Sequence, residues 1–293
     1  MSDLQVIGQP VVLFAEECES GDPNKDKLDS VLHCHIDLGD LMIVADGVDE
    51  HGGGSVASRL VVEQFCTYLA TLSRDYPVEK ALREATSRAN AKLISEARAS
   101  GSKYLRLGST VVVALLQQDA AGTSAWIGHI GNSRAYLVRG RRIYRLTVDH
   151  SAAQSMLDRS LITSEEALNH PDAAVLTRCL GYQPGVEIDI ETHPVGVDDS
   201  LLLCSYGLWG SLTDKMIEKA TNDTNVPVQD AARTLFELAF AAGARENIAV
   251  EMARFTPPPE APRPPKARFT LMQVLTVILL LLAGLCILAW FTL

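Results

Sequence analysis

The chain has 293 residues, six cysteines and a formal net charge of −10 at neutral pH. That acidic balance excludes a general nucleic-acid binder, because phosphate contacts need a basic face. The cysteines, Cys18, Cys34, Cys66, Cys179, Cys204 and Cys286, show neither a Cys-x-x-Cys pair nor disulfide-framework spacing, and they read as reduced, mostly core residues.

Residues 1–10 are short, mixed and carry Asp3, so no cleaved export signal is expected. Short β-rich runs follow at 11–14, 41–45, 110–116, 125–130, 135–138, 187–193, 200–204 and 248–255. Between them, 55–72 and 78–99 carry apolar residues at helical spacing and follow one another as a helical pair. Thr163 with Glu166 makes a capping-box start for a shorter helix, and 227–242 gives another long one with Pro227 suited to its first turn. Strands and helices do not alternate strictly, which argues against a doubly wound parallel sheet.

Residues 1–255 are long enough for one domain with a sizeable core, with no internal repeat and no second boundary. Residues 256–268 read TPPPEAPRPPKAR, whose prolines favour an extended, semi-rigid spacer. Residues 269–293 contain no charged side chain, and at about 1.5 Å rise per residue such a run crosses a hydrocarbon core of roughly 30 Å. Arg263, Lys266 and Arg268 precede the apolar run and nothing charged follows it. The positive-inside bias then predicts a single-pass membrane protein with its N-terminal domain in the cytoplasm.

The run Val44-Ala45-Asp46-Gly47 ends an apolar strand in a carboxylate and a glycine, a common way to offer oxygen to a divalent cation. Further segments fall in order around it. They are Asn24-Lys25-Asp26, Val56-Ala57-Ser58, Gly108-Ser109-Thr110, Gly131-Asn132-Ser133-Arg134, Leu146-Thr147-Val148-Asp149-His150-Ser151, Leu176-Thr177-Arg178-Cys179-Leu180-Gly181, Ser205-Tyr206-Gly207 and Glu246-Asn247-Ile248. Each is weak singly, but the ordered series resembles the PP2C (PPM) family of metal-dependent serine/threonine phosphatases over nearly all of residues 1–255.

The resemblance implies an α+β fold in which two antiparallel β-sheets pack face to face with helices on both outer sides, to which this chain adds one C-terminal transmembrane helix. It also implies two Mg²⁺ or Mn²⁺ ions that activate a water for in-line attack on a phosphate ester. Carried over by position, Asp46 is the bridging ligand, Gly47 offers its carbonyl, Asp26 matches the aspartate of an N-terminal acidic pair, and Glu246 replaces the last metal aspartate. The departures are Lys25 in place of a glutamate, Asn132 in place of the Gly-Asp-Ser-Arg aspartate and Tyr206 in place of the Ser-Asp-Gly aspartate. The family's phosphate-holding arginine before the Asn-x-Asp motif also has no counterpart in 16–22. Lys25 either places its ammonium among Asp26, Asp46 and Glu246, replacing part of the missing metal charge, or points to solvent. Asp49 and Glu50 stand where the family has a glycine pair, either as substitute ligands or as exposed acids.

A tyrosine with a pKa near 10 is a neutral, poor replacement for a carboxylate at pH 7. The degenerate site therefore predicts a membrane-tethered pseudophosphatase, weak or inactive, that regulates phosphorylated proteins or a Ser/Thr kinase. The alternative is an active Mg²⁺/Mn²⁺-dependent serine/threonine phosphatase with an altered ligand set. The histidines lack zinc-like pairing, no Gly-x-Ser-x-Gly elbow occurs, and Gly52-Gly53-Gly54 without a following Gly-Lys-Ser/Thr is no nucleotide P-loop.

Overall fold

A computed structural model describes residues 10–20, 26–48, 52–101, 103–168 and 170–258. The chain runs β1 (Val11–Ser20), β2 (Ser30–Ile36), β3 (Gly39–Ala45), β4 (Gly47–Val48), α1 (Gly54–Leu69), α2 (Val78–Ala99), β5 (Gly108–Ser109), β6 (Val111–Asp119), β7 (Gly122–Ile130), β8 (Arg134–Arg139) and β9 (Arg142–Arg145). It continues through α3 (Ala152–Asp158), α4 (Ser164–Leu168), a 3₁₀ turn (Pro171–Ala173), β10 (Asp189–Val195), β11 (Ser200–Cys204), α5 (Tyr206–Trp209), α6 (Asp214–Thr221), α7 (Val228–Ala241) and β12 (Asn247–Thr256). One five-stranded sheet has the order β1-β12-β11-β8-β9 and the other β10-β7-β6-β3-β2, with antiparallel pairing throughout. A two-stranded ribbon pairs β4 with β5.

Alternation along each strand builds three apolar layers. On β3, Met42 and Val44 face the other sheet and meet Ala135, Leu137, Leu201, Leu203 and Ala249. Leu41, Ile43 and Ala45 face outward onto α1 and α2. The second sheet repeats the pattern, with Leu202, Val250 and Met252 turned onto α5, α6 and α7. Both faces of the central strands are therefore dry, which is why runs such as Val111-Val112-Val113-Ala114-Leu115-Leu116 read as continuous apolar stretches rather than as alternating ones. The helices present matching stripes, Ala57-Val61-Phe65-Leu69 on α1 and Ala81-Ala85-Ala89 on α2. Pro227 serves as the N-cap of α7, one residue before the helix begins. The Thr163–Glu166 capping box is present reciprocally, the Thr163 amide donating to Glu166 at 2.7 Å and the Glu166 amide to Thr163 Oγ1 at 3.2 Å.

The sequence pattern omits β2, β9 and the two-residue strands β4 and β5, ends β1 too early at residue 14, and places 187–193 two residues before β10. β2 and β9 lie at sheet edges and carry polar side chains, His33 and His35 in one and Arg142 and Arg145 in the other, which break the apolar signature. The membrane helix expected at 269–293 and the spacer beyond residue 258 lie outside the described residues. Among those described, no helix is long and apolar enough to cross a membrane.

Candidate active site

Several strand ends and loops converge at one end of the sandwich on a cleft of about 720 Å³. Asp46 follows the last residue of β3, Tyr206 lies just past β11, Glu246 and Asn247 lead into β12, and Asn132 sits on the β7–β8 turn. The opposite wall is built from residues 174–179 together with Tyr182 and Arg106.

The Gly108-Ser109-Thr110 segment holds the Asp46 backbone from both sides. The Asp46 carbonyl accepts from the Thr110 amide at 2.8 Å and from Ser109 Oγ at 3.1 Å, while the Asp46 amide donates to Thr110 Oγ1 at 3.2 Å. Gly47 must be a glycine, since a Cβ there would stand 2.1 Å from the Gly54 carbonyl oxygen and 2.7 Å from that of Leu28. Its missing side chain lets α1 start directly against the carboxylate turn.

The carboxylate brought against Asp46 is Asp29, which the sequence reading did not single out. Asp29 is 4% exposed, and neither of its carboxyl oxygens has a hydrogen-bond partner of good geometry among the described residues. The neighbouring Ser205 hydroxyl already donates to the Asn247 carbonyl at 3.3 Å. Burial, reinforced by the Asp46 charge, holds the Asp29 carboxyl well above its usual range. Burial likewise pushes Asp46 up to about 6, opposed by the adjoining Asp29 carboxyl, reinforced by Glu246 and opposed again by the neighbouring Tyr206 backbone. Asp26, by contrast, is exposed and contributes only its backbone carbonyl, which accepts from Asn247 Nδ2 at 3.4 Å. The Leu28 amide donates to Asn247 Oδ1 at 3.0 Å, so Asn247 ties the 26–28 segment to β12. Residue 28, beside Asp29, is an apolar lining residue of the cleft. Lys25, Asp49 and Glu50 lie outside the described residues.

Tyr206 is half-buried, its ring edge-on to Trp209 with centroids 4.8 Å apart, and burial raises its phenol above the ordinary value. Asn132 is buried, donating through Nδ2 to the Ala173 carbonyl at 3.3 Å and accepting at its own carbonyl from Trp209 Nε1 at 2.8 Å. The other polar residues of these motifs are committed to the frame. Arg134 grips Asp149 through two bonds of 2.9 and 2.6 Å, donates to the Tyr136 hydroxyl at 2.9 Å and lies over the Trp209 ring.

An all-oxygen set of Asp29, Asp46, the Gly47 carbonyl and Glu246 suits a hard divalent cation such as Mg²⁺ or Mn²⁺. The orphaned Asp29 oxygens and the raised Asp46 carboxyl are what such a set looks like when protons stand in for the cation. A second cluster, His129, His150 and Asp189, brings possible ligand atoms within 4.8 Å of one another. The Gly131 amide donates to His150 Nδ1 at 3.1 Å, which assigns the proton of the neutral ring to Nε2, facing Asp189 at 3.1 Å. That nitrogen presents a proton instead of a lone pair, so His150 and Asp189 form a hydrogen-bonded support behind the β7–β8 turn, with the His129 ring stacked on His150 and its Nδ1 unpartnered among the described residues.

The model of the family described as protein phosphatase 2C matches residues 15–249. A serine/threonine phosphatase, stp, of Listeria monocytogenes is 31% identical over 214 residues, covering 72% of this chain and 82% of its own. The crystal structure of the Mycobacterium tuberculosis serine/threonine phosphatase PstP/Ppp superposes with a TM-score of 0.74 at 27% identity, over 84% of this chain and 99% of that one. A structure of the PstP catalytic domain in complex with two manganese ions superposes with a TM-score of 0.72 at 26% identity, over 84% and 98% of the two chains.

Proposed function

This chain belongs to the protein phosphatase 2C family, and we propose that it is a working Mg²⁺- or Mn²⁺-dependent phosphatase acting on phosphoserine and phosphothreonine in proteins. The observation that carries this reading is the convergence of three carboxylates at the open end of the sandwich, Asp29 buried, Asp46 half-buried and Glu246 exposed at its mouth, with both Asp29 oxygens lacking a hydrogen-bond partner of good geometry among the described residues. Carboxylates gathered this closely raise one another's cost of ionisation in a frame, whereas a divalent cation among them offsets it. Bound divalent cations supply a water activated at neutral pH and neutralise charge on the phosphoryl oxygens. The chain's own share is positional. Asp46, the Gly47 carbonyl and Glu246 would hold the cation, Asp29 would orient the shell around it, and the Ser109–Thr110 clamp fixes the Asp46 backbone.

A second reading is favoured by Tyr206 and Asn132, which remove two carboxylates that the family resemblance leads one to expect. On that reading the domain binds phosphorylated proteins or a Ser/Thr kinase with little turnover. Calorimetric titration of Mn²⁺ and Mg²⁺ into the full chain, with phosphopeptide hydrolysis on the same sample, separates the two. Metal binding with EDTA-sensitive turnover, lost in Asp46→Asn, is the expected result. No binding at millimolar metal, in a chain shown to be folded, would leave the binding-module reading standing.

We further propose that 269–293 anchors the protein in a membrane through the 256–268 spacer, with residues 1–255 on the cytoplasmic side. A chain truncated after residue 258 should move to the soluble fraction. Its retention on membranes would refute the anchor as the sole attachment.

A further inference from the structure

Two arginines line the cleft, and they differ in what already occupies them. Arg178 is committed, bonding Asp189 at 2.5 Å and the Glu187 carbonyl at 3.3 Å. Arg106 has neither a carboxylate nor a carbonyl partner among the described residues and holds its guanidinium over the Tyr182 ring, 5.4 Å from the centroid. That ring is itself fixed in place. It lies where a Cβ on residue 108 would come within 2.3 Å, so Gly108 is what admits it. Its loop is pinned by Asn90 of α2, which accepts from the Gly181 amide at 2.7 Å and donates to the Gln183 carbonyl at 2.9 Å. Backbone bonds between Leu180 and Ser109 at 2.9 and 3.3 Å close the same platform onto β5. Beside it, Leu105 is 76% exposed, so the rim offers apolar surface next to the cation.

A guanidinium pre-oriented on an aromatic face and lacking an anion is a ready receptor for a carboxylate or phosphate. Position decides which anion it can reach. Ser109 pairs with Gly47, next to Asp46, and Arg106 lies three residues before Ser109. At about 3.3 Å per extended residue, its backbone lies within roughly 10 Å of Ser109, with the carboxyl turn one strand spacing of about 5 Å beyond. The same rise on an extended peptide separates a residue from the side chain two or three positions away. Resting on the phosphatase reading above, we propose that Arg106 is a specificity determinant, binding an Asp or Glu side chain two or three residues from the phosphorylated residue of a peptide substrate. In a protein of net charge −10, acidic peptides gain nothing from the overall field, so acceptance of them has to be local.

The test uses the full chain with Mn²⁺ and phosphothreonine peptides that differ only in carrying Asp, Ala or Lys two and three residues to either side. The wild type should favour Asp over Ala on one side by about tenfold in kcat/KM, the scale of one charge-assisted hydrogen bond. Arg106→Ala should bring that ratio close to one, with the change in KM. Arg106→Lys should retain part of it, and Arg106→Glu should invert it toward Lys. A flat wild-type profile, or a preference that survives Arg106→Ala in a variant with unaltered melting, would overturn the proposal. So would an Arg106→Ala loss equal for all three peptides, which would place the arginine on the scissile phosphate or in the frame. If no peptide is hydrolysed, the phosphatase reading fails by itself. The same ratios, read as dissociation constants by fluorescence anisotropy, then decide the role of Arg106.

Discussion

Two clusters of buried charge lie at the same end of the sandwich, and they are built on opposite principles. Around Arg134, every strong group is matched: Asp149 takes the guanidinium in a two-pronged bond, Tyr136 takes another donor, and the Trp209 ring covers the guanidinium face. Around Asp46, carboxyls crowd together, the Asp29 oxygens lack a hydrogen-bond partner of good geometry among the described residues, and burial raises both carboxyls. Both draw on motifs that read alike in sequence, a carboxylate or a basic residue among small residues at a strand end. The difference shows that residue type alone does not separate frame from site. Glu251 on β12 is fully buried with both oxygens unpartnered among the described residues yet does not line the cleft, so an unsatisfied carboxyl marks a candidate ligand site only where it opens on one.

The largest effect should come from breaking the satisfied cluster. Asp149→Ala leaves a buried guanidinium without its partner and should cost about 3–5 kcal/mol in denaturant unfolding, with no recovery on adding Mn²⁺. Substantial recovery by metal would mean that the two clusters are not distinct. The histidine support should give the next largest effect. Burial, with His150 adding to it, lowers His129 from 6.5 to about 4. The unfolded chain therefore takes up a proton as pH falls below 6.5 while the folded one does not, so stability is intact above 6.5 and drains away toward pH 4. Comparing wild type with His129→Asn at pH 7 and pH 4.5 should isolate a loss of about 2–3 kcal/mol belonging to this ring. Equal pH slopes in the two proteins would reject it. Asp29→Asn probes the unsatisfied cluster, and its sign should reverse with conditions. Without divalent cations it should stabilise the chain by about 2 kcal/mol, since a neutral amide replaces a carboxyl that the folded chain must hold protonated at neutral pH while the unfolded chain releases that proton. With them it should weaken Mn²⁺ binding by about 10- to 100-fold, as loss of a shell-orienting group does. A destabilised metal-free variant would show that Asp29 belongs to the frame.

The same contrast explains what could be read from sequence. The central strands and the helices were legible because strands such as Val111–Asp119 are long and apolar and the helices carry clean stripes, whereas their arrangement as a layered sandwich followed from the family resemblance alone. Asp46 and Gly47 stood out because a strand ends on them. Asp29 did not, because the strand that positions it, β2, is a histidine-bearing edge with no apolar alternation. The nearby Asn24-Lys25-Asp26 run looked more like a motif, yet the Asp26 side chain is exposed. The role of Asn132 in bracing Trp209 and Ala173, and the Arg106–Tyr182 platform, depend on contacts between segments far apart in sequence, for which no local pattern exists.

The smallest effect, and the one closest to function, concerns Tyr206. Its backbone is close enough to Asp46 to hold that carboxyl down, so the main chain at this position is beside the carboxyl set whatever side chain it bears. Its ring is turned edge-on to Trp209 instead. In Tyr206→Asp that edge contact, worth about 0.5–1.5 kcal/mol, is lost, and a further like charge joins Asp29, Asp46 and Glu246. The metal-free chain should therefore melt earlier. A carboxylate added to an oxygen set short of ligands should in turn tighten Mn²⁺ by about tenfold, or 1.4 kcal/mol, so the melting shift produced by metal should grow as the metal-free melting point falls. If the variant melts earlier but binds Mn²⁺ no better than wild type, the added oxygen does not reach the ion. The set of Asp46, the Gly47 carbonyl and Glu246 would then be sufficient as it stands, and Tyr206 would be a packing residue of α5 rather than a lost ligand.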